Sequence, residues 1–171
     1  MGRMFRKTRD ERGAATVEFF FAIPFVIALG MAGLEFVHMA AMQTSVDDAA
    51  HAAARTMAQS ASATEADARA AALAAAGSLP GDSTSVSVST GETASSGYTH
   101  HLPAATGSAW VDRPSTTTKQ PVTATVESSY SPTTPVGTAI SDALGTPGTI
   151  GFKSTATEWR DSTVEGGASS W

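Results

Sequence analysis

The feature that most constrains this chain is a long apolar run interrupted once, near its start, by a carboxylate. From Ala14 to Leu34 only Glu18 is charged, and the next charge is Glu35. As a helix this run extends about 31 Å, enough to cross the hydrocarbon core of a bilayer. A carboxylate at the edge of such a span costs less than one at its centre, yet it is still unfavourable in lipid. Glu18 therefore requires an explanation, and Gly13, five positions earlier, narrows it.

Charge is distributed unevenly around the run. Residues 1–13 hold Arg3, Arg6, Lys7, Arg9 and Arg12 against Asp10 and Glu11, a net +3, so the chain's total of −5 leaves −8 for the remainder. Basic residues ahead of a span stay on the cytoplasmic side, which directs the C-terminal part outward. An acidic exterior excludes nucleic acid as a partner, because that needs a basic patch. There is no cysteine, hence no disulfide framework, thiolate metal site or cysteine nucleophile. Once the apolar run is set aside, few large apolar residues remain, and any core must be thin.

Along the chain, Pro24 lies inside the run, where it removes a helical hydrogen bond and kinks the axis. Glu35 and His38 share a helix face at three-residue spacing, an arrangement suited to the membrane surface. Val46, Ala49, Ala50, Ala53, Met57 and Ala61 then recur at three- and four-residue steps, opposite Asp47, His51, Arg55 and Gln59. With no proline from Phe25 to Leu79, the membrane helix is expected to continue to about Ser60. Thr64 with Asp67 marks a capping box opening a second helix to about Ala76, and Gly77 and Pro80 supply the stop. Beyond Pro80 the composition turns to Ser, Thr, Gly and Pro. Alternation predicts strands at Ser85–Ser89, Val122–Tyr130 and Thr149–Trp159. Residues 91–121 are expected as a surface loop. Pro132, Pro135, Gly145, Pro147 and Gly148 break the chain before the last strand, and Trp171 is a candidate terminal anchor.

The segment GAATVEF, Gly13 to Phe19, resembles the start of prepilin-like proteins of the type IV pilus group. Over Arg12 to Phe36 it is more narrowly similar to the TadE-like pseudopilins of the tight-adherence (Tad) pilus system, through Gly13, Val17, Glu18, Phe19, Pro24, Glu35 and Phe36. That resemblance implies cleavage between Gly13 and Ala14 by a membrane-embedded prepilin peptidase. Glu18 and Phe19 would serve recognition and assembly, and Pro24 would kink the membrane helix. The glutamate of such proteins pairs with a neighbouring subunit's new N-terminal amine, so a carboxylate costly alone is satisfied on assembly.

The expected architecture is α+β and pilin-like: a long N-terminal helix, transmembrane then amphipathic, carrying a small three-stranded antiparallel sheet. Its parts are a cytoplasmic leader (1–13), a transmembrane helix (14–38), an extracytoplasmic helical stalk (39–79) and a Ser/Thr/Gly-rich β head (80–171). The implied role is a minor pilin of a Tad-type pilus, single-pass in a bacterial cytoplasmic membrane. Its partners would be the membrane, the prepilin peptidase and other pilus subunits. The alternative is an uncleaved, membrane-anchored surface binding protein or adhesin. A secretory signal cut near Met39–Ala41 is a further rival, but both rivals leave Glu18 unexplained.

Catalytic patterns are missing from the sequence. No H-E-x-x-H, G-x-S-x-G, Walker or dinucleotide-binding signature occurs. His100 and His101 are adjacent and do not by themselves make a zinc site. Trp110, beside Asp112 and Arg113, is expected as a loop tryptophan packed on the domain, with a contact patch as the other reading. No catalytic, metal or cofactor residue is assigned, and no small-molecule substrate is expected.

Overall fold

The computed structural model describes residues 4–77, 79, 83–103 and 110–165, with side chains of the first helix described from Thr16 onward. The chain begins with a helix of 56 residues, α1 (Met4–Gln59), that runs unbroken through Pro24. After a short turn comes α2 (Glu65–Ala76). Its start is a reciprocal capping box: Thr64 Oγ1 accepts from the Asp67 amide at 3.3 Å, while Asp67 Oδ2 accepts from the Thr64 amide at 2.8 Å. Those bonds hold the Asp67 carboxyl below its ordinary pKa. Gly77, at φ +56°, ends the helix in a conformation that side-chain-bearing residues avoid.

Four strands follow, where three were expected: β1 (Thr84–Thr90), β2 (Ala94–Pro103), β3 (Trp110–Tyr130) and β4 (Ile150–Glu165). All three others pair with β3. β1 and β2 lie antiparallel to it in succession, β1 against residues 122–128 and β2 against residues 110–119. On β4, Lys153, Thr155, Thr157 and Asp161 meet Glu127, Thr125, Thr123 and Lys119. That reversed order makes the pair antiparallel. The stretch expected as a loop over residues 91–121 is thus mostly a β-ribbon. Every described side chain of β2 is exposed. With both faces wet, a strand has no apolar alternation to betray it.

A bulge joins the two short strands. Thr90 pairs with Val122 and Ala94 with Lys119, so three residues oppose two and one is extra. The Gly91 amide donates to the Pro121 carbonyl at 2.8 Å, and a Cβ on Gly91 would come within 2.7 Å of Pro121 Cγ. Glycine is the residue that fits this close approach.

By its internal contacts the chain divides into two compact units: residues 1–41 with 130–150, and residues 42–129 with 151–171. In the second, Val46, Ala49, Ala50, Ala53 and Ala54 of α1 and Ala68, Ala72 and Ala76 of α2 pack with Val86, Ala124, Val126 and Ala156 of the sheet. The predicted helical stripe is present up to Met57, while Ala61 falls in the exposed turn after the helix. Alanine at most of these positions lets helix and sheet backbones approach closely, at the expense of area buried per residue.

In the first unit the segment expected only to break the chain contains a helix, α3 (Pro135–Ala143). Pro135 occupies the first helical turn, where its missing N–H costs nothing, and Thr134 is the N-cap. Gly145 and Gly148, at φ +75° and +78°, shape the turn that follows.

Candidate functional site

The first unit holds the residues singled out from the sequence. Gly13 and Ala14 lie on α1, and their side chains fall outside the described residues, as does Trp171. From Thr16, α1 is long and apolar enough to cross a membrane, and none of its most apolar stretch is buried within the protein. Phe19 is 65% exposed, with Phe20, Phe21 and Phe25 exposed around it. Glu18 and Pro24 are exposed on the same bare length of helix. An apolar helix uncovered on every side is what a bilayer-facing segment requires.

Glu35, expected with His38 on the helix face that leaves the bilayer, is 0% exposed. The Thr134 hydroxyl donates to its Oε2 at 2.9 Å and accepts from the Gly137 amide at 3.0 Å. One threonine therefore both caps α3 and holds the carboxylate over that helix's N-terminus, where the backbone dipoles favour negative charge. The approach is close: a Cβ on Gly137 would fall 2.4 Å from Glu35 Oε1 and 2.7 Å from Pro132 Cβ. Glu35 Oε1 and the Tyr130 hydroxyl are buried without a hydrogen-bond partner among the described residues. Burial raises the Tyr130 pKa, and the Glu35 carboxylate adds to the rise. The exposed His38 places its ring 6.4 Å from that of Tyr130, tilted by 50°. Sequence spacing had singled out Glu35 and His38, but nothing in it pointed to partners about a hundred residues away.

In the second unit, His101 contacts Asp112, its register partner across the β2–β3 ribbon. His100 sits opposite Arg113. Among the described residues no three His, Asp or Glu side chains are grouped to hold a metal ion. Trp110 is on a strand and 70% exposed, which corrects the expectation of a packed loop residue. Arg160 has a role that the sequence did not disclose. Its guanidinium donates to the carbonyls of Met57 and, at 3.2 Å, Ser60, and so caps the C-terminal end of α1. A cation there meets the carbonyl of Met57, joins the Ala63 amide on that of Ser60, and faces the negative end of the helix dipole. The sheet face turned from the helices is hydroxyl-rich, with Thr123 paired to Thr157 at 2.9 Å and Thr125 to Thr155 at 3.1 Å.

No curated protein matches the chain, and no solved structure does. The recognisable part is the N-terminal segment, where a glycine precedes a glutamate-bearing, uncovered apolar helix. Over residues 13–55 the chain matches the family of TadE-like proteins.

Proposed function

We propose that this protein is a minor pilin of a Tad-type pilus, made as a precursor and cut between Gly13 and Ala14 by a prepilin peptidase. The observation that carries the reading is the family match beginning at Gly13, with Glu18 exposed five positions on among the exposed phenylalanines of α1. A carboxylate so placed is costly alone. Cleavage would create an amine at Ala14, and a neighbouring subunit's amine would pair with Glu18 as subunits assemble. The +3 leader stays in the cytoplasm and the remainder lies outside. The partners are then the membrane, the peptidase and other pilus subunits. The globular extension suits a minor component that supports initiation, adhesion or secretion.

The N-terminal sequence and intact mass of the protein from its own host test this reading. A start at Ala14 supports it. A start at Met1 supports the uncleaved surface anchor instead, and a start near residue 40 a secreted protein. Gly13→Leu is expected to abolish maturation while membrane insertion persists, because the span is unchanged; normal maturation of that variant would disprove the cut. Glu18→Leu is expected to insert at least as well as the parent but to vanish from sheared pili. Its undiminished recovery there would remove the pairing role.

A further inference from the structure

We propose that residues 131–149 form an amphipathic foot that rests in the interfacial zone of the same bilayer that α1 spans, with Leu144 in contact with lipid. The inference rests on the membrane-spanning reading of α1. Three observations within the first unit carry it.

The segment is tied to α1 where the apolar run ends. Thr134 bonds the Glu35 carboxylate at 2.9 Å, and Glu35 follows the run directly. The cover also reaches into the run itself: Met31 is 37% exposed and Ala32 half-buried, against 73% for Leu29 and 64% for Leu34. Met31 and Glu35 lie one turn apart on the same helix face. Residues 130–150 are the only other part of this unit. They therefore reach the depth of the last turn of the span.

The second observation is the pattern of α3. Gly137 and Ser141 are buried at four-residue spacing. Beside them Val136, Ile140 and Leu144 repeat at the same spacing, the first two half-buried and Leu144 64% exposed. Thr138 and Asp142 are exposed on another side. An amphipathic stripe that ends in an open leucine at this depth matches the boundary of headgroups and acyl chains.

The third is charge. Asp142 is the single charged residue of 131–149, and no lysine or arginine is present. Contact with lipid is thus apolar rather than electrostatic, and independent of anionic headgroups. Burial of Glu35 fits the same setting, because a bare carboxylate at this depth would face lipid without a partner.

The chain lacks cysteine, so single cysteines can report position. The full-length protein is reconstituted in phosphatidylcholine vesicles, with an environment-sensitive fluorophore on Leu144→Cys, Leu29→Cys or Thr125→Cys. Quenching is read with nitroxide lipids carrying the label near the headgroup and with aqueous iodide. The expected result is strong nitroxide quenching at positions 29 and 144, little at 125, and no change when phosphatidylglycerol is added. Quenching at 29 but not at 144 overturns the foot and leaves the span intact. A position 144 shielded from iodide yet untouched by nitroxide shows a protein cover, such as a second copy, and also overturns it. Quenching at 144 that requires phosphatidylglycerol overturns the apolar mode of contact. Failure at 29 removes the membrane reading itself, and the foot with it.

Discussion

Glu35 and Gly137 limit one another. The carboxylate sits so close to the Gly137 backbone that a single methyl at position 137 collides with it and with Pro132. Gly137→Ala is therefore expected to destabilise the first unit by about 1–3 kcal/mol, the usual range for an inserted group that neighbours cannot evade. Urea unfolding in detergent micelles measures it. Combining the change with Glu35→Ala should recover only part of the loss, since Pro132 still obstructs; full recovery would mean that Pro132 yields. Arg160 is the counterpart in the second unit. Arg160→Met keeps much of the side chain's bulk but takes the guanidinium donor from the Met57 carbonyl and leaves that of Ser60 with the Ala63 amide alone, and is expected to cost about 1–3 kcal/mol. Circular dichroism during urea unfolding reads that loss, and an unchanged midpoint would show that water replaces the guanidinium without penalty.

Among the elements, α2 depends on its first turn. Removing the Thr64 hydroxyl in Thr64→Ala should cost about 0.5–2 kcal/mol, the usual cost of a lost N-cap. The partner group gives a pH signature. Because the folded-state pKa of Asp67 is depressed, its contribution is full above the ordinary value of 3.8 and is lost as pH falls through the lower folded value. Thermal melts of Asp67→Asn and the parent should therefore converge in acid and diverge above about pH 4. The interface that α1 and α2 share with the sheet makes a separate demand. Ala50, Ala53 and Ala54 are fully buried, so Ala53→Leu is expected to cost about 1–3 kcal/mol through overpacking. A melting temperature equal to the parent's would show slack between helix and sheet.

The elements also show what the sequence discloses and why the rest stays hidden. α1, α2, β1 and the paired halves of β3 and β4 were legible because each carries a periodic apolar face or a cap. The ribbon of β2 and the start of β3 was not, since the described side chains of β2 are exposed and the covered positions at the start of β3 are Ser115, Thr117 and Thr118, so no apolar alternation marks it. α3 was obscured by its flanking prolines and glycines, although Thr134 followed by Pro135 is a helix start. At the site, Gly13, Glu18 and Phe19 could be read because their pattern is local. The burial of Glu35 and the cap by Arg160 could not, because each joins residues about a hundred positions apart and no local spacing encodes such a meeting.

For the whole molecule, two glutamates on one helix have opposite situations. Glu35 is enclosed and bonded within its own unit, whereas Glu18 lies exposed in the apolar run. A carboxylate enclosed inside the chain is out of reach of a neighbouring subunit, while an exposed one in lipid has a partner to gain from assembly. Substituting Glu35 should accordingly disturb folding of the precursor, and substituting Glu18 should spare it. Protease resistance of the two variants in detergent separates these effects; equal sensitivity would refute the division.

The bulge beside Gly91 has a consequence for how this surface can vary. Side-chain direction along a strand reverses at each step, and the one surplus residue among positions 91–93 absorbs a step, so that even-numbered residues face the core along β1 and the opposite side along β2. Tyr98, opposite Ser115, now shares a side with the threonine ladder. Loss of one codon at Glu92 would remove the surplus and straighten this edge, leaving Ala94 opposite Lys119 and Tyr98 opposite Ser115. A lineage could thus shed or regain the kink in one genetic step while keeping the outer display of this strand pair.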